Sequence, residues 1–156
     1  MQTTNNTQNN NKQQKNKENN YIDIIMPAYN CEKYIGQAIE TVKQQTYTNW
    51  RLIIINDKST DNTKAEIQKQ KDEKILFIDL EENVGVAEAR NIGIKNSSNR
   101  YIAFLDADDM WKKDKLERQL KFMQENNYEF TYTSFTYLKG KRRKDIKKIP
   151  QSLNYK

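Results

Sequence analysis

Tyr101-Ile102-Ala103-Phe104-Leu105-Asp106-Ala107-Asp108-Asp109 runs from an apolar stretch straight into three carboxylates. An apolar run with an abrupt polar stop predicts a buried strand, here over 101–106. Carboxylates crowded at a strand end repel one another, and a divalent cation relieves that repulsion. Oxygen-only ligands suit Mg²⁺ or Mn²⁺. Asp residues also cap helix N-termini. This stretch alone therefore leaves two readings open, a helix start and a metal site.

Working outward, the chain alternates strands and helices. Residues 21–26 predict a strand stopped by Pro27, and Asn30 is a good N-cap for a helix near 31–45. In that helix Ile35, Ala38, Ile39 and Val42 form one apolar stripe. Residues 50–55 predict a strand buried on both faces, ending in the turn formers of Asn56 to Asp61. A short helix over 62–71, a strand over 75–80, a helix over 85–95 and a helix over 113–126 complete the pattern around 101–106. Residues 130–138 alternate aromatic and hydroxyl side chains, as a half-exposed strand does, and Gly140 predicts a hairpin turn. Strict alternation predicts an α/β fold, a mostly parallel sheet with helices on both faces. Ligands of such sheets bind beyond the C-terminal strand ends. Asn30, Asp57 and Asp106 to Asp109 all lie just past strand ends and are expected to converge there.

Composition narrows the chemistry. The 156 residues suit one domain. Residues 1–20 hold eight Asn and four Gln with no aliphatic side chain but Met1, and predict a disordered polar tail. Neither a signal peptide nor a membrane-spanning run is recognisable, so the expected compartment is the cytoplasm. The net charge of +6 is uneven: +2 in residues 1–20 and +7 in 139–156 leave −3 for the middle. The basic segment 139–148 is a candidate for peripheral contact with anionic membrane. It lacks interleaved aromatics, and no specific nucleic acid is expected. With no His and one Cys, zinc sites of Cys and His and triads built on His are excluded. Cys31 cannot form an internal disulfide.

The glycines, Gly36, Gly85, Gly93 and Gly140, fit neither G-x-G-x-x-G nor G-x-x-x-x-G-K, which disfavours a dinucleotide oxidoreductase and a P-loop enzyme. An aspartyl phosphatase or a response-regulator receiver would carry its acidic pair after the first strand, where this chain has none.

Four segments then carry a resemblance: Pro27-Ala28-Tyr29-Asn30, Asn56-Asp57-Lys58-Ser59-Thr60-Asp61, Asn83 to Gly93, and Asp106-Ala107-Asp108-Asp109-Met110-Trp111. In order and spacing they resemble family 2 glycosyltransferases, enzymes of the GT-A fold that transfer sugars from nucleotide-sugar donors. The resemblance covers about residues 21–138. It implies that Pro27, Ala28 and Tyr29 line the base pocket, with Glu32 nearby. It implies that Asp57 accepts the base imide N–H, favouring a UDP-sugar, and that Arg90 lies beside the nucleotide. Asp106 and Asp108 match the ends of a D-x-D motif. Asp106 would approach ribose and metal, Ala107 would leave room for the sugar, and Asp108 would hold Mn²⁺ or Mg²⁺ against the diphosphate. The implied acceptor is a surface glycan or glycolipid, and the implied transfer is inverting.

The chain departs from the family at three places. Lys58 stands where the family usually has Gly, and could pair with a phosphate or with Asp61. Asn56 stands where it often has Asp. The family's later half, with its acceptor site and general base, has no counterpart here, since Asp145 is the last acid in the sequence. The expectation is therefore a donor-binding half, with 139–156 leading toward a missing acceptor half. Two rivals remain: a non-catalytic nucleotide-sugar-binding module that needs a partner, and a basic protein recruited to membrane or nucleic acid through 139–148.

Overall fold

The computed structural model describes residues 20–139 and 142–145. The expected tail up to residue 19, the turn at Gly140 and the side chains of the basic segment lie outside the described residues. Contacts divide the chain into two compact units, one ending at Glu117 and one beginning at Arg118.

The first unit is built on a parallel sheet of order β3-β2-β1-β4, from β1 Ile22–Ala28, β2 Trp50–Asn56, β3 Ile75–Asp79 and β4 Tyr101–Phe104. Helices α1 Ile35–Lys43, α2 Thr63–Gln68 and α3 Val86–Lys95 are its connections. Helix α4 spans Lys115–Asn126. Strand order reverses between β1, which leads outward to β2 and β3, and β4 on its other side. That is the switch point at which a crevice opens beyond the strand ends.

The centre of the sheet is dry on both faces. Ile25, Ile53 and Ile55 pack with Ala89 of α3, and Ile92 joins that cluster. The alternate positions Ile24, Met26, Leu52 and Ile54 point to the other face and are equally buried. The expected stripe of α1 is buried at Ile35, Ala38, Ile39 and Val42. Helix α3 comes unusually close to the sheet at Gly93, where a Cβ would overlap Ile25 Cγ2 and reach Ile55 Cδ1 at 3.0 Å. At the strand starts, buried Asp23 ties three elements together. It accepts from Arg51 Nε (2.9 Å), Ser98 N (2.8 Å) and Asn99 N (3.0 Å). Burial pushes the Asp23 carboxyl up, but these bonds outweigh it and leave it below its ordinary range.

Three expectations are corrected. First, Pro27 does not stop β1, which runs on to Ala28. Ile25 points its carbonyl toward the β4 side, bonding Leu105 N, and by alternation Pro27 faces the same way. β4 has ended at Phe104, so the missing proline N–H leaves no ladder bond unmade. Second, Asn30 is not a helix N-cap. It sits in the left-handed region at φ 47°, and α1 starts later, after Tyr34, with no side-chain cap. Third, of the strand expected over 130–138, residues 130–135 are not a strand. Only β5 Thr136–Lys139 pairs, antiparallel with β6 Arg142–Asp145, in a two-stranded sheet of the second unit. Phe130 is 78% exposed there, so the aromatic alternation found no face to bury against.

Replacing Gly93 with Ala should destabilise the chain by about 1–3 kcal/mol, because the β-branched Ile25 methyl cannot rotate away from the added carbon. Urea unfolding reads this directly; an unchanged midpoint would contradict the close approach.

Candidate functional site

Four segments meet at the C-terminal edge of the sheet. The end of β1 pairs with the end of β2, Pro27 opposite Ile55 and Ala28 opposite Asn56. Asp57 N–H continues that ladder to Ala28 O at 2.8 Å. Pro27 and Ala28 are buried, while Tyr29 is 52% exposed beyond them.

Asp57 is the joint of the edge. Its Oδ1 accepts from Val84 N at 2.7 Å and its Oδ2 from Gly85 N at 2.9 Å. Its carbonyl accepts from Asn83 Nδ2 at 2.9 Å. Gly85 has φ +83°, a conformation that glycine adopts without strain. The carboxylate thus receives the free amides where α3 begins, which is where a helix favours negative charge. Asp57 is 3% exposed, so it acts from the floor of the edge.

The loop after β1 is fastened to the loop after β2. Asn30 N donates to Ser59 Oγ (3.0 Å), and Asn30 Oδ1 accepts from Thr60 N (2.8 Å). Cys31 N donates to Thr63 Oγ1 (2.8 Å) and Glu32 N to Asp61 Oδ2 (3.1 Å). Glu32 Oε2 accepts from both Asn62 N and Asn62 Nδ2 at 2.9 Å, just before α2. A cleft of about 330 Å³ lies here, lined by Asn30, Cys31, Glu32, Lys33, Tyr34 and Asp61.

Both unusual residues of the second loop have a physical account. Lys58 adopts φ 58°, the left-handed region that favours glycine, which is why a Gly suits this place. Its charge reaches Asp79; Asp61 is instead occupied by Glu32 N and Thr63 N. Asn56 is 2% exposed and donates Nδ2 to Asp79 Oδ1 at 2.7 Å, while Ser59 Oγ donates to its Oδ1 at 2.5 Å. An Asp at 56 would turn the first bond into two facing carboxylates. The amide therefore belongs with Asp79 and its neighbour Lys64, whose hydrogen bond is the largest influence holding the Asp79 carboxyl down.

Beyond β4, Leu105 still bonds Ile25 O at 3.1 Å, and the chain then turns, with Asp109 N donating to Asp106 O at 3.0 Å. Ala107 is buried and Asp106, Asp108 and Asp109 are exposed. Arg90 reaches from α3 to Asp106, Nη2 to Oδ1 at 2.6 Å. Although its residue is exposed as a whole, partial desolvation of the Asp109 carboxyl, then the charges of Asp108 and Asp106, push it up. Burial also raises the Cys31 thiol, and the charges of Asp61 and Asp108 add to it.

The residues expected from the sequence thus gather at one edge, Glu32 with its carboxylate committed to Asn62. The brace behind the acidic turn carries no sequence signal. Buried Gln45 donates to Thr41 O (3.0 Å) and Lys112 O (2.8 Å) and accepts from Leu116 N (3.1 Å). Thr41 Oγ1 accepts from Trp111 N at 3.2 Å. Lys115 rests on the Trp111 ring at 4.2 Å, and burial lowers its amine to about 8.

Among the described residues no group of three or more His, Cys, Asp or Glu is placed to hold an ion alone. Asp106 and Asp108 offer oxygen only, in a turn that exposes three carboxylates within four residues. That donor set fits Mg²⁺ or Mn²⁺, which take one or two carboxylates and complete their shell with substrate phosphates and water.

The sequence profile described as glycosyl transferase family 2 matches residues 23–155. The chain belongs to glycosyl transferase family 2. It is 41% identical over 138 residues to the putative teichuronic acid biosynthesis glycosyltransferase TuaG of Bacillus subtilis (strain 168), covering 86% of this chain and 55% of that protein. It is 39% identical over 134 residues to the UDP-Glc:alpha-D-GlcNAc-diphosphoundecaprenol beta-1,3-glucosyltransferase WfgD of Escherichia coli, covering 86% and 53%. The chain therefore spans about half the length of these relatives. The crystal structure of S. aureus TarS 1-349 in complex with UDP-GlcNAc superposes with a TM-score of 0.65 at 27% identity, over 69% of this chain and 32% of that one. The architecture is the α/β GT-A fold of such enzymes.

Asn56→Asp, although it installs the family's common residue, should destabilise this chain by about 1–3 kcal/mol by leaving two carboxylates face to face. Adding Asp79→Asn should recover most of that loss. Denaturant melts of the single and double variants measure both, and additive losses would contradict the pairing.

Proposed function

We propose that the chain binds a UDP-sugar together with Mn²⁺ or Mg²⁺ in the crevice beyond β1, β2 and β4, as the donor site of a family 2 glycosyltransferase. The observation that carries this reading is the meeting of the Arg90 cation with the Asp106 carboxylate at 2.6 Å, at the point where strand order reverses. In this reading Tyr29 offers an exposed ring to the base above buried Pro27 and Ala28. Asp57 fixes the 84–85 amides under the nucleotide and keeps free lone pairs for the base imide, with Glu32 bracing the pocket wall. Asp106 turns toward ribose, Ala107 leaves room for the sugar, and Asp108 faces the cation. When bound, the cation offsets charge developing on the diphosphate leaving group.

Support for a uridine donor comes from TarS, solved with UDP and with UDP-GlcNAc. Support for a glycolipid acceptor comes from WfgD, whose name gives a diphosphoundecaprenol-linked substrate. Inverting transfer to a surface glycan on the cytoplasmic side is the corresponding reading of the whole reaction. The free thiol of Cys31 fits a reducing compartment. Because the chain spans half of its relatives, transfer in this reading draws its acceptor site and general base from outside these 156 residues. The same span favours a second reading, a donor-binding module that acts with a partner. Contact of 139–148 with anionic lipid is an accessory of either reading.

Calorimetry of the chain with UDP and Mn²⁺ should show saturable binding that Asp108→Ala weakens at least about tenfold, the loss of a charged ligand. The chain alone should hydrolyse or transfer no sugar above background. Absence of binding, or an Asp108→Ala variant equal to wild type, would overturn the donor site. Binding only to anionic vesicles, lost in salt, would favour the basic-recruitment rival instead.

A further inference from the structure

The ion pair that carries the donor-site reading also places a cation where the metal is expected. Arg90 Nη2 donates to Asp106 Oδ1, with the side chains 36% and 49% exposed. Its Nε is buried and meets no hydrogen-bond acceptor among the described residues. The helix that carries it is fixed, because α3 is held at both ends of its inner face. Asp57 receives the amides that lead into it, Ala89 is fully buried beside Arg90, and Gly93 sits against Ile25 and Ile55. Asp108, by contrast, has no ion pair or hydrogen bond to its carboxylate among the described residues and stands exposed.

We propose that Arg90 is a positioning residue that makes cation binding conditional on the donor. This inference rests on reading the crevice as the donor site. Without a donor, the guanidinium neutralises Asp106 and adds a positive charge beside the metal position. Asp108 is then the open carboxylate of the D-x-D pair, with only the neighbouring Asp109 beside it and no phosphate oxygens to complete the shell of Mg²⁺ or Mn²⁺. A diphosphate changes both terms. Its oxygens complete the cation's shell, and its negative charge compensates the guanidinium. Donor and cation therefore bind with positive coupling, and the coupling is reciprocal. Removing the guanidinium should move the two affinities in opposite directions, which a loss of local structure cannot do.

The test is a Mn²⁺ titration followed by electron paramagnetic resonance, with and without UDP, alongside calorimetry for UDP at saturating Mn²⁺. Arg90→Met should bind Mn²⁺ alone roughly 5–10-fold more tightly, the effect of removing one nearby positive charge. It should bind UDP about tenfold more weakly, from loss of a charge-assisted contact. Arg90→Lys, which keeps the charge without the fork, should fall between wild type and Arg90→Met in both measurements. Lys95→Met, the same charge change on α3 at a residue paired with Glu88, should leave both affinities unchanged. If Arg90→Met and Arg90→Lys lose both affinities together, Arg90 is structural and the inference falls. If both variants equal wild type while wild type binds UDP with Mn²⁺, the inference falls and the donor site stands. If wild type binds neither, the donor-site reading falls and takes the inference with it.

Discussion

Asp57 stands with both carboxylate oxygens occupied by the amides of Val84 and Gly85, and the functional edge depends on this clamp. β2 delivers the carboxylate, and the loop before α3 delivers the amides. A helix N-terminus and a buried acid each carry unmet electrostatic demand, and each satisfies the other. With the start of α3 fixed in this way and Gly93 seated on the sheet, one turn in the middle of the helix aims Arg90 at the acidic turn after β4. The exposed pair between Arg90 and Asp106 contributes only about 0.2–1 kcal/mol by itself. Its significance is orientation, obtained from the buried contacts beneath it.

The rest of the edge is assembled in the same way, by polar side chains bonding across loops. The chain after β1 borrows its order from the chain after β2, through Asn30, Cys31 and Glu32 on one side and Ser59, Thr60, Asp61, Asn62 and Thr63 on the other. The acidic turn is backed by Gln45 and Thr41 at the end of α1. An edge of this kind leaves the ring of Tyr29 and the carboxylate of Asp108 exposed, while the buried polar groups hold the loops in position.

The parallel sheet was legible because its strands are apolar runs bounded by turn formers, and the convergence of the edge follows from strand direction alone. Where the reading failed, hydrogen bonds that a sequence does not display decided the outcome. Pro27 reads as a stop, yet it sits where β4 has already ended and no partner is lost. Asn30 reads as a cap, yet its side chain finds Thr60 and takes a left-handed backbone. Tyr34 gave no sign that α1 begins only after it, without a side-chain cap. Gln45 gave no signal, because nothing in a lone glutamine indicates that three backbone groups will meet it. The two family departures at 56 and 58 became intelligible only once Asp79 and the positive φ of Lys58 were visible.

The central claim is that one edge of the sheet holds a nucleoside diphosphate. Amide chemical-shift mapping of the ¹⁵N-labelled chain on addition of UDP with Mg²⁺ tests it most directly. The account predicts concerted shifts at Tyr29, Val84, Gly85 and Ala107 to Asp109, with Ser98 and Asn99 at the opposite end of the sheet unmoved. Shifts confined to residues 139–148, or none at all, would contradict it.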